Sequence, residues 1–229
     1  RYLIKDDSVE INPGSGTGFY FPKGILIIYG LIAFCCMLGE GAMAEWTASY
    51  MIKVGNASDY IAPLGLFSFS GAMAFGRLFG DKMRAKYGDA VLMLYGGILA
   101  SSGLAIALIF TNYIVIILSL FLVGLGLSTI VPIAYSLAGK IPGVKAGVGI
   151  SAVTTIGYSG FILGPPIIGF LAEELNLRIS WMFVLSLFLF FDCIRFFLFL
   201  GNSLFEIFLN DIVFDFLGVG ENLFFSHYK

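Results

Sequence analysis

Six stretches of roughly twenty predominantly apolar residues follow one another along this chain, an arrangement that suits a bilayer and no soluble core. They run from about Ile25 to Tyr50, Tyr60 to Phe79, Ala90 to Phe110, Ile114 to Ala138, Gly147 to Ala172 and Ser180 to Leu200. The breaks carry turn chemistry: Gly55-Asn56, Gly88-Asp89, Thr111-Asn112, Pro142-Gly143 and Glu174-Leu175-Asn176. Continuous apolar runs do not tell helix from strand by periodicity, but their length does. A membrane strand needs only ~9–11 residues and alternates polar with apolar. The runs therefore predict an all-α integral membrane protein with six transmembrane helices.

Composition agrees. Of the 229 residues, 59% are hydrophobic and 12% charged, where a soluble domain carries about 25% charged. That excludes a disordered chain, a disulfide-stapled secreted domain and a nucleic-acid binder, which needs a basic face. The 29 glycines and seven prolines are tolerated better by helices in lipid than by ordinary core helices. Cys35 and Cys36 are adjacent and Cys193 lies in another apolar run, so no disulfide framework is implied. The single histidine, His227, stands near the end of the chain, which removes His-based metal sites and Ser-His or Cys-His catalysis. Neither a cofactor nor an enzymatic activity is expected.

The net charge of −2 names no partner, but the cations sort by side. One side holds Arg1, Lys5, Lys23, Lys82, Arg84, Lys86, Lys140, Lys145 and Lys229; the other holds only Lys53 and Arg178. The positive-inside rule predicts both termini, and the loops around residues 80–89 and 139–146, in the cytoplasm. Residues 1–23 read as a polar cytoplasmic connector, 24–200 as the transmembrane domain and 201–229 as a tail. The chain starts with Arg1 rather than methionine, which suggests a fragment with further sequence upstream. Thirteen of the 24 phenylalanines fall between Phe183 and Phe225, and Glu206, Asp211, Asp215 and Glu221 make the tail acidic. A membrane-surface helix is usually basic. The tail is therefore expected to be disordered, loosely interfacial or not native to the fold.

The junction after the second run reads GRLFGDKMRAKYG, Gly76 to Gly88. Gly80, Asp81, Lys82 and Arg84 resemble the signature loop of the major facilitator superfamily, which joins the second and third helices of each six-helix half; Met83 stands where that family often has glycine. Gly76 and Gly80, four apart, permit close helix approach. Asp81 is placed to face a helix N-terminus or to pair with a nearby arginine. The loop with Gly76, Arg77, Gly80, Asp81 and Arg84 is expected to act as a gate or latch, the simpler alternative being a basic loop behind a helix-ending glycine.

The fifth run contains GYSGFILGPPIIG, Gly157 to Gly169. Gly160, Gly164, Pro165 and Gly169 are similar to the glycine-proline helix of the same superfamily. Pro165-Pro166 removes backbone donors, so a kink or hinge is expected; small residues that only permit tight packing are the alternative.

The first run holds LGEGAMAEW. A helix entering at Ile25 carries Glu40 ~22 Å into the membrane and Glu45 ~30 Å, to the far boundary. A buried carboxylate is costly unless paired, protonated or in a water-filled cavity. Glu40 is thus a candidate for substrate binding or proton coupling, with a structural pair to Arg77 as the alternative. In the fourth run Thr129, Pro132 and Tyr135 recur at helical spacing on one face. Hydroxyls in the fifth run include Thr155 and Tyr158. Many such hydroxyls bond their own backbone; the rest are expected to line a polar cavity. The resemblance implies that the first and fourth helices face a central pathway, so that Glu40, Trp46 and Tyr50 share a cavity with Thr129 and Tyr135. Asp192 and Arg195, three apart, are expected to pair.

The resemblance covers roughly residues 21–200 and is closest to the C-terminal half of bacterial permeases near the sugar (fucose-type) branch. It implies one half of a 3+3 repeat transporter fold in the bacterial inner membrane. Its implied partners are a small-molecule solute, the lipid bilayer and a missing N-terminal six-helix half. The function implied is alternating-access transport, as a symporter if proton-coupled. A non-transport scaffold or sensor subunit, or a homodimerising half-unit, is the alternative.

Overall fold

The computed structural model describes residues 24–208, and the side chains of residues 24–196. The expected connector over residues 1–23 and most of the expected tail lie outside the described residues. Seven helices account for nearly all of the rest: α1 (Ile25–Lys53), α2 (Pro63–Tyr87), α3 (Asp89–Ile109), α4 (Tyr113–Leu127), α5 (Ile130–Ala138), α6 (Ala146–Glu174) and α7 (Leu177–Phe208).

Local chemistry sets several of these boundaries. Pro63 opens α2, where its missing N–H costs no helical bond. Gly88 alone separates α2 from α3, with φ of +80°, a left-handed conformation that glycine adopts without a Cβ clash. Asn112 and Asn176 cap α4 and α7: their Oδ1 atoms accept from Ile114 N and Ile179 N, each at 2.9 Å.

The expected fourth run is one stretch, Tyr113–Ala138, broken between α4 and α5 at Ser128-Thr129. Pro132 has no N–H for the carbonyl of Ser128 four residues earlier. Ser128 bends back instead, its N and Oγ both donating to Leu125 O at 3.3 and 2.6 Å. A proline therefore divides this span.

Five stretches are long and apolar enough to cross a membrane: α1, α3, α4 with α5, α6 and the first part of α7. The expectation was six. The second helix falls short because Ser68, Ser70, Gly71 and Arg77 dilute its apolar run. It nonetheless packs against α4 and α1, through a stripe of Gly65, Phe69, Ala72, Met73 and Gly76.

Glycine faces hold the helices together. A Cβ on Gly164 would lie 2.6 Å from Leu38 O, and one on Gly41 2.7 Å from Phe161 O, so α1 and α6 touch backbone to backbone. The α3–α4 contact is alike: a Cβ on Gly96 would meet Gly126 O at 2.7 Å, and one on Gly103 would meet Ser119 O at 2.8 Å. In lipid, burial from water does not drive helices together, so close packing of small residues supplies the attraction. Large apolar side chains such as Phe67, Leu78, Ile162 and Phe170 point outward, as a lipid-facing surface requires. The chain is an integral membrane protein.

Candidate functional site

Glu40, on α1, stands with its Oε1 3.6 Å from Nη2 of Arg77 on α2. This is an ion pair too long for a direct hydrogen bond. The Glu40 side chain is 26% exposed and that of Arg77 49%, so both open onto a cavity rather than being sealed in the core.

Two adjoining pockets share this pair and Phe161 of α6. One, of 440 Å³, adds Met37 of α1, Val131, Pro132 and Tyr135 of α5, and Tyr158 of α6. The other, of 240 Å³, adds Ala44 and, from α2, Leu66, Phe69, Ser70, Met73 and Ala74. The pair is thus the polar centre of a largely apolar and aromatic recess, with the phenols of Tyr135 and Tyr158 on one wall. Such a recess can orient a small solute through a few polar groups and cover its apolar body.

Of the residues expected in this cavity, Glu40, Pro132, Tyr135 and Tyr158 meet there. Thr129 lines a smaller neighbouring pocket of 60 Å³ with Arg77, Gly80, Asp81 and Arg84. Trp46 is absent from both main walls: its Nε1 donates to Pro165 O at 3.1 Å, and its ring covers Gly169. Thr155 is exposed and donates to Ser151 O of its own helix at 2.8 Å.

Tyr50 corrects the expectation outright. It is fully buried, stacked on Trp181 with ring centroids 3.8 Å apart, and its hydroxyl donates to Ala107 O at 3.0 Å. Ten residues beyond Glu40 is 1,000° of helix rotation at 100° per residue, which turns Tyr50 some 80° away, toward α3 and α7. Arg77, Met37 and Phe161 line the cavity although none was expected as a binding residue. Met37 and Phe161 stand three residues from Glu40 and Tyr158, a signal the sequence carries.

At the α2–α3 junction Arg84 grips Asp89 at the start of α3 with two nitrogens, Nη2 donating to Oδ2 at 2.7 Å and Nε to Oδ1. The same Nη2 donates to Ser136 Oγ on α5 at 2.9 Å. One guanidinium therefore ties α2, α3 and α5. The bidentate contact with Asp89 raises the Arg84 pKa above its already high ordinary value, which keeps it cationic. Asp81, the expected latch carboxylate, is exposed and makes no ion pair among the described residues.

Helix α6 continues unbroken through Pro165 and Pro166. Pro165 leaves Phe161 O without its helical donor, and Gly41 of α1 lies against that carbonyl. Gly160 packs on the Phe34 backbone and Gly164 on that of Leu38. The expected hinge residues thus form a contact face with α1. No group of three His, Cys, Asp or Glu side chains able to hold a metal occurs among the described residues.

No family model matches the chain. It is 36% identical over 161 residues to the membrane protein MosC of Rhizobium meliloti, covering 70% of this chain and 40% of that one. It is 33% identical to an MFS-type transporter of Yersinia pestis, covering 74% of this chain and 44% of that protein. A transporter of Sinorhizobium fredii is 30% identical, with 82% and 50% covered. The chain thus spans about half the length, or less, of the curated relatives it matches. In structure it is similar to a mutant of the peptide transporter POT crystallised with sulfate, at a TM-score of 0.68 and 19% identity, covering 78% of this chain and 38% of that one. The same transporter with alafosfalin gives 0.67 and 20%. The fold is therefore that of part of a transporter.

Proposed function

We propose that this chain is the C-terminal half of a major-facilitator transporter that moves a small solute by alternating access, with Glu40 and Arg77 at the centre of its binding surface. The single observation that carries the reading is the Glu40–Arg77 pair, open to a recess walled by Tyr135, Tyr158 and Phe161. A structural ion pair in a membrane is sealed between helices; this one faces space. The similarity to transporters supports the same reading, and so does the match to less than half of each POT chain.

In this reading a second six-helix half covers the recess, and the solute binds between the halves near the membrane midplane. Glu40 switches between pairing with Arg77 and meeting solute or proton, so that occupancy biases which face is open. The Arg84–Asp89–Ser136 tie holds the cytoplasmic ends of α2, α3 and α5 together in one of the two states. Solutes of the sugar class fit a recess with one acid, one cation and two phenols. The membrane is the bacterial inner membrane, with the Arg84 end in the cytoplasm.

The test is uptake by the complete two-half protein in proteoliposomes under an imposed proton gradient. Glu40→Gln is expected to abolish gradient-driven accumulation while leaving downhill exchange measurable. Full gradient-driven uptake by this variant would remove Glu40 from the coupling role.

A further inference from the structure

Among the described residues, Lys53 and Arg178 are the cations at the helix ends opposite the basic loops around residues 80–89 and 139–146. They are 125 positions apart, one at the end of α1 and the other at the start of α7. The fold nevertheless places both on a single pocket of 490 Å³, with Asn56, Thr111 and Asn176 as its other polar lining residues.

Every charged or polar side chain on this wall can donate a hydrogen bond. Lysine and arginine offer donors alone. Asn176 spends its Oδ1 on Ile179 N, which leaves its amide NH2 as the free group. Among the described residues no carboxylate lines the pocket, in contrast to the recess at Glu40. Neither cation makes an ion pair among the described residues. Arg178 reaches Ile109 O at only 3.4 Å through Nη2, and its buried Nε has no hydrogen-bond partner. The guanidinium thus carries donors that the acceptors among the described residues leave unsatisfied.

The geometry points to a binding site for a phosphate-type oxyanion in this pocket, held by Lys53 and Arg178 and oriented by Asn56, Thr111 and Asn176. Arginine binds such groups through its planar fork and lysine as a point charge. The volume leaves room for an organic body attached to the anion, whether the glycerol backbone of an anionic lipid or a water-borne solute. The site is separate from the Glu40 recess and does not depend on the transport reading.

The test uses the 229-residue chain in nanodiscs, as wild type and as Lys53→Gln and Arg178→Gln. In discs of phosphatidylcholine alone, inorganic phosphate is titrated by calorimetry. In discs that also contain phosphatidylglycerol, the lipid retained after exchange into detergent is counted by native mass spectrometry. Wild type is expected to show saturable binding in at least one arm, weakened about tenfold by either substitution, the loss of one charge-assisted contact. Phosphate binding assigns the site to water-borne anions; retained phosphatidylglycerol alone assigns it to a headgroup. Lys53 is exposed and pairs with nothing described, so Lys53→Gln stays informative if Arg178→Gln misfolds. Binding in neither arm, or Lys53→Gln binding as wild type does, overturns the site.

Discussion

Arg195 holds Asp192 one turn away on α7, Nη2 to Oδ1 at 2.7 Å, with both residues buried at 7% and 8% exposure. The pair is knitted into α3: Arg195 Nη1 donates to Met93 O at 3.0 Å, and Ser101 Oγ donates to Asp192 Oδ2. Gly97 makes room for it, since any Cβ there would run into the Asp192 carboxylate and the Arg195 guanidinium. Two charges that would oppose insertion of α7 alone thus become its attachment to α3.

Removing one partner of this pair leaves an uncompensated charge in a buried interface. Arg195→Leu is therefore expected to destabilise the chain by about 3–5 kcal/mol, whereas Asp192→Leu with Arg195→Met recovers most of the loss. Unfolding in mixed micelles, followed by circular dichroism, measures both. Equal destabilisation by the single and double variants would show that the helix contact depends on the charges themselves.

The α1–α6 glycines give a paired comparison. Gly164→Ala drives a methyl into Leu38 O and is expected to cost about 1–3 kcal/mol, as overpacking does. Gly147→Ala on the same helix meets nothing within 4 Å and is expected to be neutral or stabilising by up to about 1 kcal/mol. A similar loss at both positions would show that general helix effects, and not contact, set the glycine requirement.

Glu40→Gln separates folding from function. The Glu40–Arg77 contact is long and partly exposed, so its loss should change stability by no more than about 1 kcal/mol. A drop in uptake without a matching shift in unfolding midpoint is the expected result.

Two tyrosines, both expected from the sequence to face the cavity, should now behave differently. Tyr135→Phe, on the wall of the recess, is expected to alter KM or substrate preference. Tyr50→Phe loses its bond to Ala107 O, costing about 1 kcal/mol, and leaves KM unchanged. The reverse pattern would place the binding surface on the other side of α1.

At the cytoplasmic end of the proposed orientation, Arg84→Lys keeps the charge but cannot reproduce the bidentate grip on Asp89. Cysteine probes at the ends of α2 and α5 should then label several-fold faster with a membrane-impermeant maleimide. Asp81→Asn, which removes no observed ion pair, should leave labelling near the wild-type rate.

Much of this was legible in residue order. The lengths of the apolar runs required membrane helices, because unpaired backbone polar groups are too costly in lipid. Turn residues marked the ends, and the depth of Glu40 singled it out; the break before Pro132, within a run read as one span, was not anticipated. The three-residue spacing of Asp192 and Arg195 foretold their pairing. These are local properties, settled within one helix by rise, rotation and donor count.

What only the tertiary structure decided is which faces meet. Arg84 takes Asp89 across the turn and Ser136 from α5 in preference to its own neighbour Asp81. Tyr50 turns to Trp181 while Tyr135 turns to the recess, and Lys53 finds Arg178 from the far end of the chain. Each residue rotates its side chain by about 100° around the helix axis, so a face is chosen only when a neighbour arrives. The arrival is governed by glycines such as Gly41, Gly97 and Gly164, whose partners lie far away in sequence and touch through backbone that no local pattern identifies.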